Sequence, residues 1–65
     1  MTKNISINEM MDGDLAVLVN TNLWGRPVAR RANSFYMVGP DGDTCMDKFV
    51  DLNRYVVRVI GRDLP

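Results

Sequence analysis

The apolar residues of this chain fall into about four short runs, each closed within a few residues by Gly, Pro, Asn or Asp. That segmentation constrains the fold more than any other feature. Runs of this length suit strands, whereas a packed helix needs about ten residues or more. The gaps leave no room for crossover helices, so neighbouring strands are expected to pair antiparallel. The chain has 65 residues and reads as a single small β domain over 1-65. Its core must be modest, because a chain of this size buries only about 60% of its unfolded surface.

Leu15-Ala16-Val17-Leu18-Val19 is the most distinct strand. Asp12-Gly13-Asp14 precedes it as a turn in which Gly13 is expected to take a positive φ, and Asn20-Thr21-Asn22 follows as a loop. Its continuous apolarity predicts cover on both faces and a place in the centre of the sheet. A buried helix is the competing reading, opposed by the shortness of the run and its valines. Tyr55–Ile60 is the second distinct strand, with Gly61 ending it and 61-65 as a loose tail.

Between these lie Val28–Arg31 and Phe35–Val38, read as a hairpin around Ala32-Asn33-Ser34, with Asn33 suited to the left-handed region. Pro27 predicts an edge or a bulge where the first of them starts. Gly39-Pro40-Asp41-Gly42-Asp43 is the clearest turn. Residues 1-12 read as an extended arm and turn: a short strand near Lys3–Ile7, then a helical or 3₁₀ turn over Asn8–Asp12 capped by Asn8. Thr44–Leu52 fits a helical stripe (Cys45, Phe49, Leu52) or one strand face (Cys45, Asp47, Phe49). A short strand or loop, then a 3₁₀ turn near Asp51–Arg54, is the expected outcome. The fold class is therefore all-β: a small antiparallel barrel or curled sheet of about five strands with little helix. Closure into a barrel is one way to remove exposed edges.

The chain has no His, one Cys and five dispersed Gly. Without His it lacks a ready general base near neutral pH, and Cys45 lacks the usual activating partner. A single Cys makes no disulfide within the chain and no Cys-rich metal cage. The glycines do not form a phosphate-cradling loop, and Asp41, Asp43 and Asp47 lack the ligand ladder of a calcium loop. A non-enzymatic chain with no cofactor and no metal is expected. No run reaches the roughly 18 to 20 apolar residues of a membrane span. Met1–Ser6 has no apolar core of a secretion signal. With a free thiol as well, a cytoplasmic location is expected.

Eight Lys and Arg balance eight Asp and Glu, which removes a global pull on nucleic acid or anionic membrane. The charge is nevertheless clustered. Arg26, Arg30 and Arg31 are basic, Asp41 to Asp51 is acidic around Lys48, and Arg54, Arg58 and Arg62 are basic again. Arg26, Arg30 and Arg31, with Trp24, Phe35 and Tyr36 nearby, make the candidate partner-binding surface. Arginine forks and aromatic rings are the usual anchors of protein interfaces. Strand alternation sets Arg30 and Arg31 on opposite faces, and the competing reading is that these arginines are solvated charges protecting an edge. Trp24 is a core plug or an exposed anchor. Met10, Met11, Met37 and Met46 read as core fillers.

Four segments also follow a familiar order: Gly13-Asp14-Leu15-Ala16-Val17, Gly25-Arg26-Pro27-Val28-Ala29-Arg30-Arg31, Tyr36-Met37-Val38-Gly39 and Arg54-Tyr55-Val56-Val57-Arg58-Val59-Ile60. This order resembles small SH3-like β-barrel proteins of tailed bacteriophages, and Asn53-Arg54-Tyr55-Val56 looks like the 3₁₀ turn and last strand of SH3 folds. The resemblance implies an SH3-like barrel and a phage-encoded modulator that binds a host protein in the host cytoplasm. The chain departs from peptide-binding SH3 domains in lacking an ALYDY segment and an adjacent tryptophan pair, so recognition of Pro-rich peptides does not carry over. The alternatives are a nucleic-acid-binding small barrel using Arg26–Arg31 and Arg54–Arg62, and a small homo-oligomeric assembly protein. The last draws on the absence of any internal staple and on near-zero net charge.

Overall fold

The structure, a computed structural model, describes residues 3–20, 22 and 25–62. Its strands are β1 (Asn4–Ser6), β2 (Asp14–Leu18), β3 (Pro27–Arg31), β4 (Ser34–Gly39), β5 (Gly42–Cys45) and β6 (Val56–Arg62), with short 3₁₀ turns at Ile7–Glu9 and Leu52–Arg54. All pairings are antiparallel, in one sheet of order β1-β6-β2-β3-β4-β5. The all-β, antiparallel, nearly helix-free reading holds. The sheet has six strands and is not closed. β1 and β5 are therefore edges.

β2 lies between β6 and β3, the central position its apolarity predicts. Cover on both of its faces is only partial, however: Ala16 and Leu18 are buried, while Leu15, Val17 and Val19 are half-buried. The five-residue run thus serves the core with every second side chain and leaves the others on an outer face. Ala16, Leu18, Val28, Phe35, Met37 and Val57 line the inner face, and Ile7, Met10 and Met46 close over it. Three of the predicted methionine fillers are in place there, whereas Met11 is exposed.

The segment after β5 closes the open side of this core. Phe49 N–H donates to the Met46 carbonyl, Leu52 N–H to that of Phe49 and Tyr55 N–H to that of Leu52. These successive three-residue turns aim Met46, Phe49, Leu52 and Tyr55 inward, at the eclipsed spacing of 3₁₀ geometry. Phe49 and Tyr55 meet edge to face, 6.5 Å between centroids. The 3₁₀ turn expected near Asp51–Arg54 is present, and neither period 3.6 nor period 2 describes the approach to it.

Three local readings differ. The first 3₁₀ turn begins earlier than expected and is capped by Ser6, not Asn8: Ser6 Oγ accepts from Asn8 N–H and Glu9 Oε2 from Ser6 N–H, a capping box. Gly61 does not end β6. Leu15 pairs with Gly61 and Ala16 with Val59, which leaves Ile60 as a bulge and lets the strand run on to Arg62 beside Asp14. Pro27 begins β3 inside the sheet and not at an edge, which is tolerated because a first strand residue need not donate.

The β3–β4 turn places Ala32 at φ 51° and Asn33 at φ 67°, the two positive values of a type I′ turn. Asn33 suits that region, as the sequence predicts, but Ala32 carries a Cβ into it. Ala32→Asn is therefore expected to stabilise the fold by about 0.5–1 kcal/mol, since Asn tolerates the left-handed region better. Urea unfolding measures this as a raised midpoint at unchanged slope; a lowered midpoint contradicts it.

Candidate interaction surface

The β3–β4 hairpin positions most of the sequence-predicted residues, and its register divides them. Arg30 pairs with Phe35, Ala29 with Tyr36 and Arg31 with Ser34. Paired residues share a face, so Arg30 and Phe35 lie on the core side, and Arg31 and Tyr36 lie outside.

Phe35 is 7% exposed and belongs to the core. Arg30 caps it, with its guanidinium carbon 5.3 Å from the ring centroid. The same guanidinium donates to the Met10 carbonyl and, at 3.3 Å, to Asn33 Oδ1. Its Nε lies 3.2 Å from Asp12 Oδ1, and that oxygen also accepts Asn33 N–H at 3.0 Å. The Arg30 side chain is 22% exposed. It ties the hairpin turn to the loop before β2.

On the outer face the Arg31 guanidinium carbon lies 5.7 Å from the Tyr36 ring centroid, and Arg31 pairs with Asp43. Leu15, Ala29, Tyr36 and Cys45 form one cross-strand row there, flanked by Val17 and Val38. Ala29 is fully covered between its neighbours, while Leu15, Val17, Tyr36 and Val38 remain half-exposed. Arg26 is exposed just before β3, its carbonyl accepting Leu18 N–H at 3.0 Å. Trp24 lies outside the described residues. The candidate residues therefore separate into an inner pair, an outer pair and Arg26.

The sequence reading missed the contribution of β2 and β5 to the outer face. Its signal is present: Leu15 and Val17 alternate with Ala16 and Leu18, so a run read as doubly buried also supplies an outward row.

Other polar side chains hold the framework. Asn20, which follows β2, holds the entry of β6, donating to the Arg54 carbonyl at 3.0 Å and accepting Val56 N–H at 2.9 Å. Asp47 accepts Phe35 N–H at 3.2 Å where β5 leaves the ladder. The Ser34 side chain and the Phe35 N–H hold its carboxyl below the ordinary aspartate range, against an opposing effect of burial and with a smaller contribution from Cys45. A folded-state pKa below the unfolded one contributes stability that is complete above the ordinary value of about 3.9 and is lost as pH falls below it through the lowered value. Asp47→Asn is expected to flatten the acid limb of the stability profile there. Superimposable limbs for the variant and the wild type, in urea midpoints measured from neutral to acid pH, contradict the assignment.

Among the described residues, no cluster of three His, Cys, Asp or Glu is placed to hold a metal ion, and no helix is long and apolar enough to cross a membrane. Compared with protein families, with curated proteins and with solved structures, the chain matches none.

Proposed function

We propose that this chain is a non-enzymatic binding protein whose outer sheet face holds another protein. One observation carries the reading: half-exposed Leu15, Val17, Tyr36 and Val38 share the outer face with Arg31, which is already stacked on Tyr36 and paired with Asp43. Tyr and Arg dominate interface hot spots, and a guanidinium held in place before binding loses less freedom on docking. The motif order that resembles small phage barrels supports the finer reading, a phage-encoded modulator of a bacterial host protein acting in the host cytoplasm. Nucleic acid is a poorer fit, because Arg30, Arg31 and Arg62 each lie beside a carboxylate, of Asp12, Asp43 and Asp14 respectively. Phosphate contacts need arginines that are free to neutralise them.

The test is a tagged pull-down from bacterial lysate with and without nuclease, followed by affinity measurement on the captured protein. Arg31→Ala and Tyr36→Ala are each expected to weaken binding at least about tenfold while circular dichroism stays native. Unchanged affinity in both folded variants overturns the placement. Loss of all captured material after nuclease favours the phosphate reading, and recovery of the bait alone removes the binding reading.

A further inference from the structure

The outer face of the sheet is laid out symmetrically about β3. Strands β6 and β2 lie on one side of it and β4 and β5 on the other. Two cross-strand rows run over these strands. In the first, Gly61 lies beside Leu15, Leu15 beside Ala29, Ala29 beside Tyr36 and Tyr36 beside Cys45. In the second, Arg58 lies beside Val17 and Val17 beside Pro27, while Val38 lies beside Asp43. The register that pairs Val28 with Met37 continues by one residue and sets Pro27 beside Val38. Each row therefore balances. Ala29 and Pro27 hold the middle; Leu15 answers Tyr36, and Val17 answers Val38. At the ends, the cation of Arg58 answers the anion of Asp43, and Gly61 answers Cys45.

The ends of the rows have capacity to spare. Arg58 donates from Nε to Asn4 Oδ1 at 3.1 Å, and among the described residues no carboxylate pairs with its guanidinium. Arg31 engages Oδ2 of Asp43, which leaves Oδ1 for a second donor. Gly61 has no explanation within one chain. Its φ lies outside the left-handed range, the bulge falls at Ile60, and a Cβ at Gly61 would meet no atom within 4 Å. A strand glycine that neither backbone conformation nor internal crowding requires fits a place where another backbone comes close.

We propose that a second copy of this chain covers the outer face, related to the first by a two-fold axis that runs along β3. The proposal rests on the reading that this face binds protein, and it adds a regulation: the copy occludes the face until another protein displaces it. Such an axis turns each row onto itself. Leu15 of each copy then meets Tyr36 of the other, and Val17 meets Val38. Arg58 of each copy reaches Asp43 of the other, and Cys45 enters the notch at Gly61. Two sheets packed face to face with nearly aligned strands are an established arrangement. A face that complements itself in size and in sign selects its own copy as the occupant. The like-charge hazard is Arg31 on the central strand, but it leans over Tyr36 to Asp43 and so leaves the axis with its charge met. Balanced net charge adds no repulsion between copies, and a core this small gains from association.

Sedimentation equilibrium of the full chain is expected to show a mass that rises from one chain to two between about 1 μM and about 1 mM. Arg58→Asp and Asp43→Arg are each expected to raise the dimer dissociation constant at least about tenfold, because each opposes like charges at both ends of its own dimer. Mixed in equal amounts, the two variants are expected to recover the wild-type constant, since every end contact then joins opposite charges. Gly61→Lys meets nothing within its own chain and is expected to keep the fold and weaken the dimer by a similar factor. In the wild type, methyl resonances of Leu15, Val17 and Val38 are expected to shift on dilution while those of Ile7 and Leu18 stay, a readout independent of how any variant folds. A single-chain mass up to about 1 mM overturns the proposal. So does a mixture of the folded reversals that stays as weak as either alone, a Gly61→Lys dimer as tight as the wild type, or dilution shifts that spare all three outer methyls. A captured protein that loses affinity for Tyr36→Ala, with no dimer at any concentration, sinks the dimer alone. One that binds the intact dimer overturns the outer-face reading and the occlusion, and leaves the dimer standing.

Discussion

Phe35→Ala is expected to abolish the cooperative fold near room temperature, although Phe35 sits among the aromatic and arginine residues that suggest a binding surface. The ring is 7% exposed and packs within the cluster of Ile7, Met10, Ala16, Leu18, Val28, Met37, Met46 and Val57. Truncating a buried Phe costs about 3–5 kcal/mol. A core in a chain this small rarely supplies more than about 3–5 kcal/mol in all. The two magnitudes are comparable, so the folded and unfolded populations approach equality or invert. Tyr36→Ala, one residue along on the outer face, removes a half-exposed ring and is expected to leave a cooperative transition. Thermal melts by circular dichroism of both variants, side by side, make the comparison. A Phe35→Ala midpoint within a few degrees of the wild type contradicts the placement of Phe35, because each kcal/mol moves the midpoint of a domain this size by about 4–8 °C.

The contrast between adjacent residues also marks how far the sequence can be read. Apolar runs bounded by turns place β2, β3, β4 and β6, and two φ-positive positions, Gly13 and Asn33, are legible from residue type alone. These are local decisions, made by sterics and turn chemistry within a few residues. Ser6 as the cap is equally local, because Ser6 and Glu9 have capping-box spacing, but reading a strand through Ile7 hides it. What is not local is less visible. The bulge at Ile60 arises from β6 meeting β2 across the sheet, and nothing in Val59-Ile60-Gly61 announces it beyond the glycine. The inward turn of Met46, Phe49, Leu52 and Tyr55 depends on an open side of the core that needs covering. The candidate surface divides for a similar reason. Composition brings Arg30, Arg31, Phe35 and Tyr36 together, but the hairpin register assigns one arginine and one ring to each face. Alternation predicts that Arg30 and Arg31 separate; the turn at Ala32-Asn33 fixes which ring each one joins.

Arg30→Ala is expected to cost about 2–3 kcal/mol of stability, the range for charged hydrogen bonds lost from a partly buried site. The change strands the Met10 carbonyl, removes the cation beside Asp12 and uncovers the Phe35 ring together. Arg30→Met keeps an apolar stem over Phe35 and is expected to recover only part of the loss, because the hairpin turn still has no tie to the Met10–Asp12 loop. Arg30→Lys keeps the charge but cannot span the Met10 carbonyl, Asp12 and Asn33 with one ammonium, so it is expected to fall between alanine and the wild type. Asp12→Ala in the Arg30→Ala background is expected to cost less than in the wild type, since their coupling is already gone. The measurement is a double-mutant cycle in urea unfolding, run beside partner affinity under conditions where every variant is folded. A latch predicts large stability losses, non-additive with Asp12, and affinity that tracks only the folded fraction. Affinity that falls at full folding, with stability unchanged, turns Arg30 back into a binding residue and means that the inner rim of the hairpin, not its outer face, meets the partner.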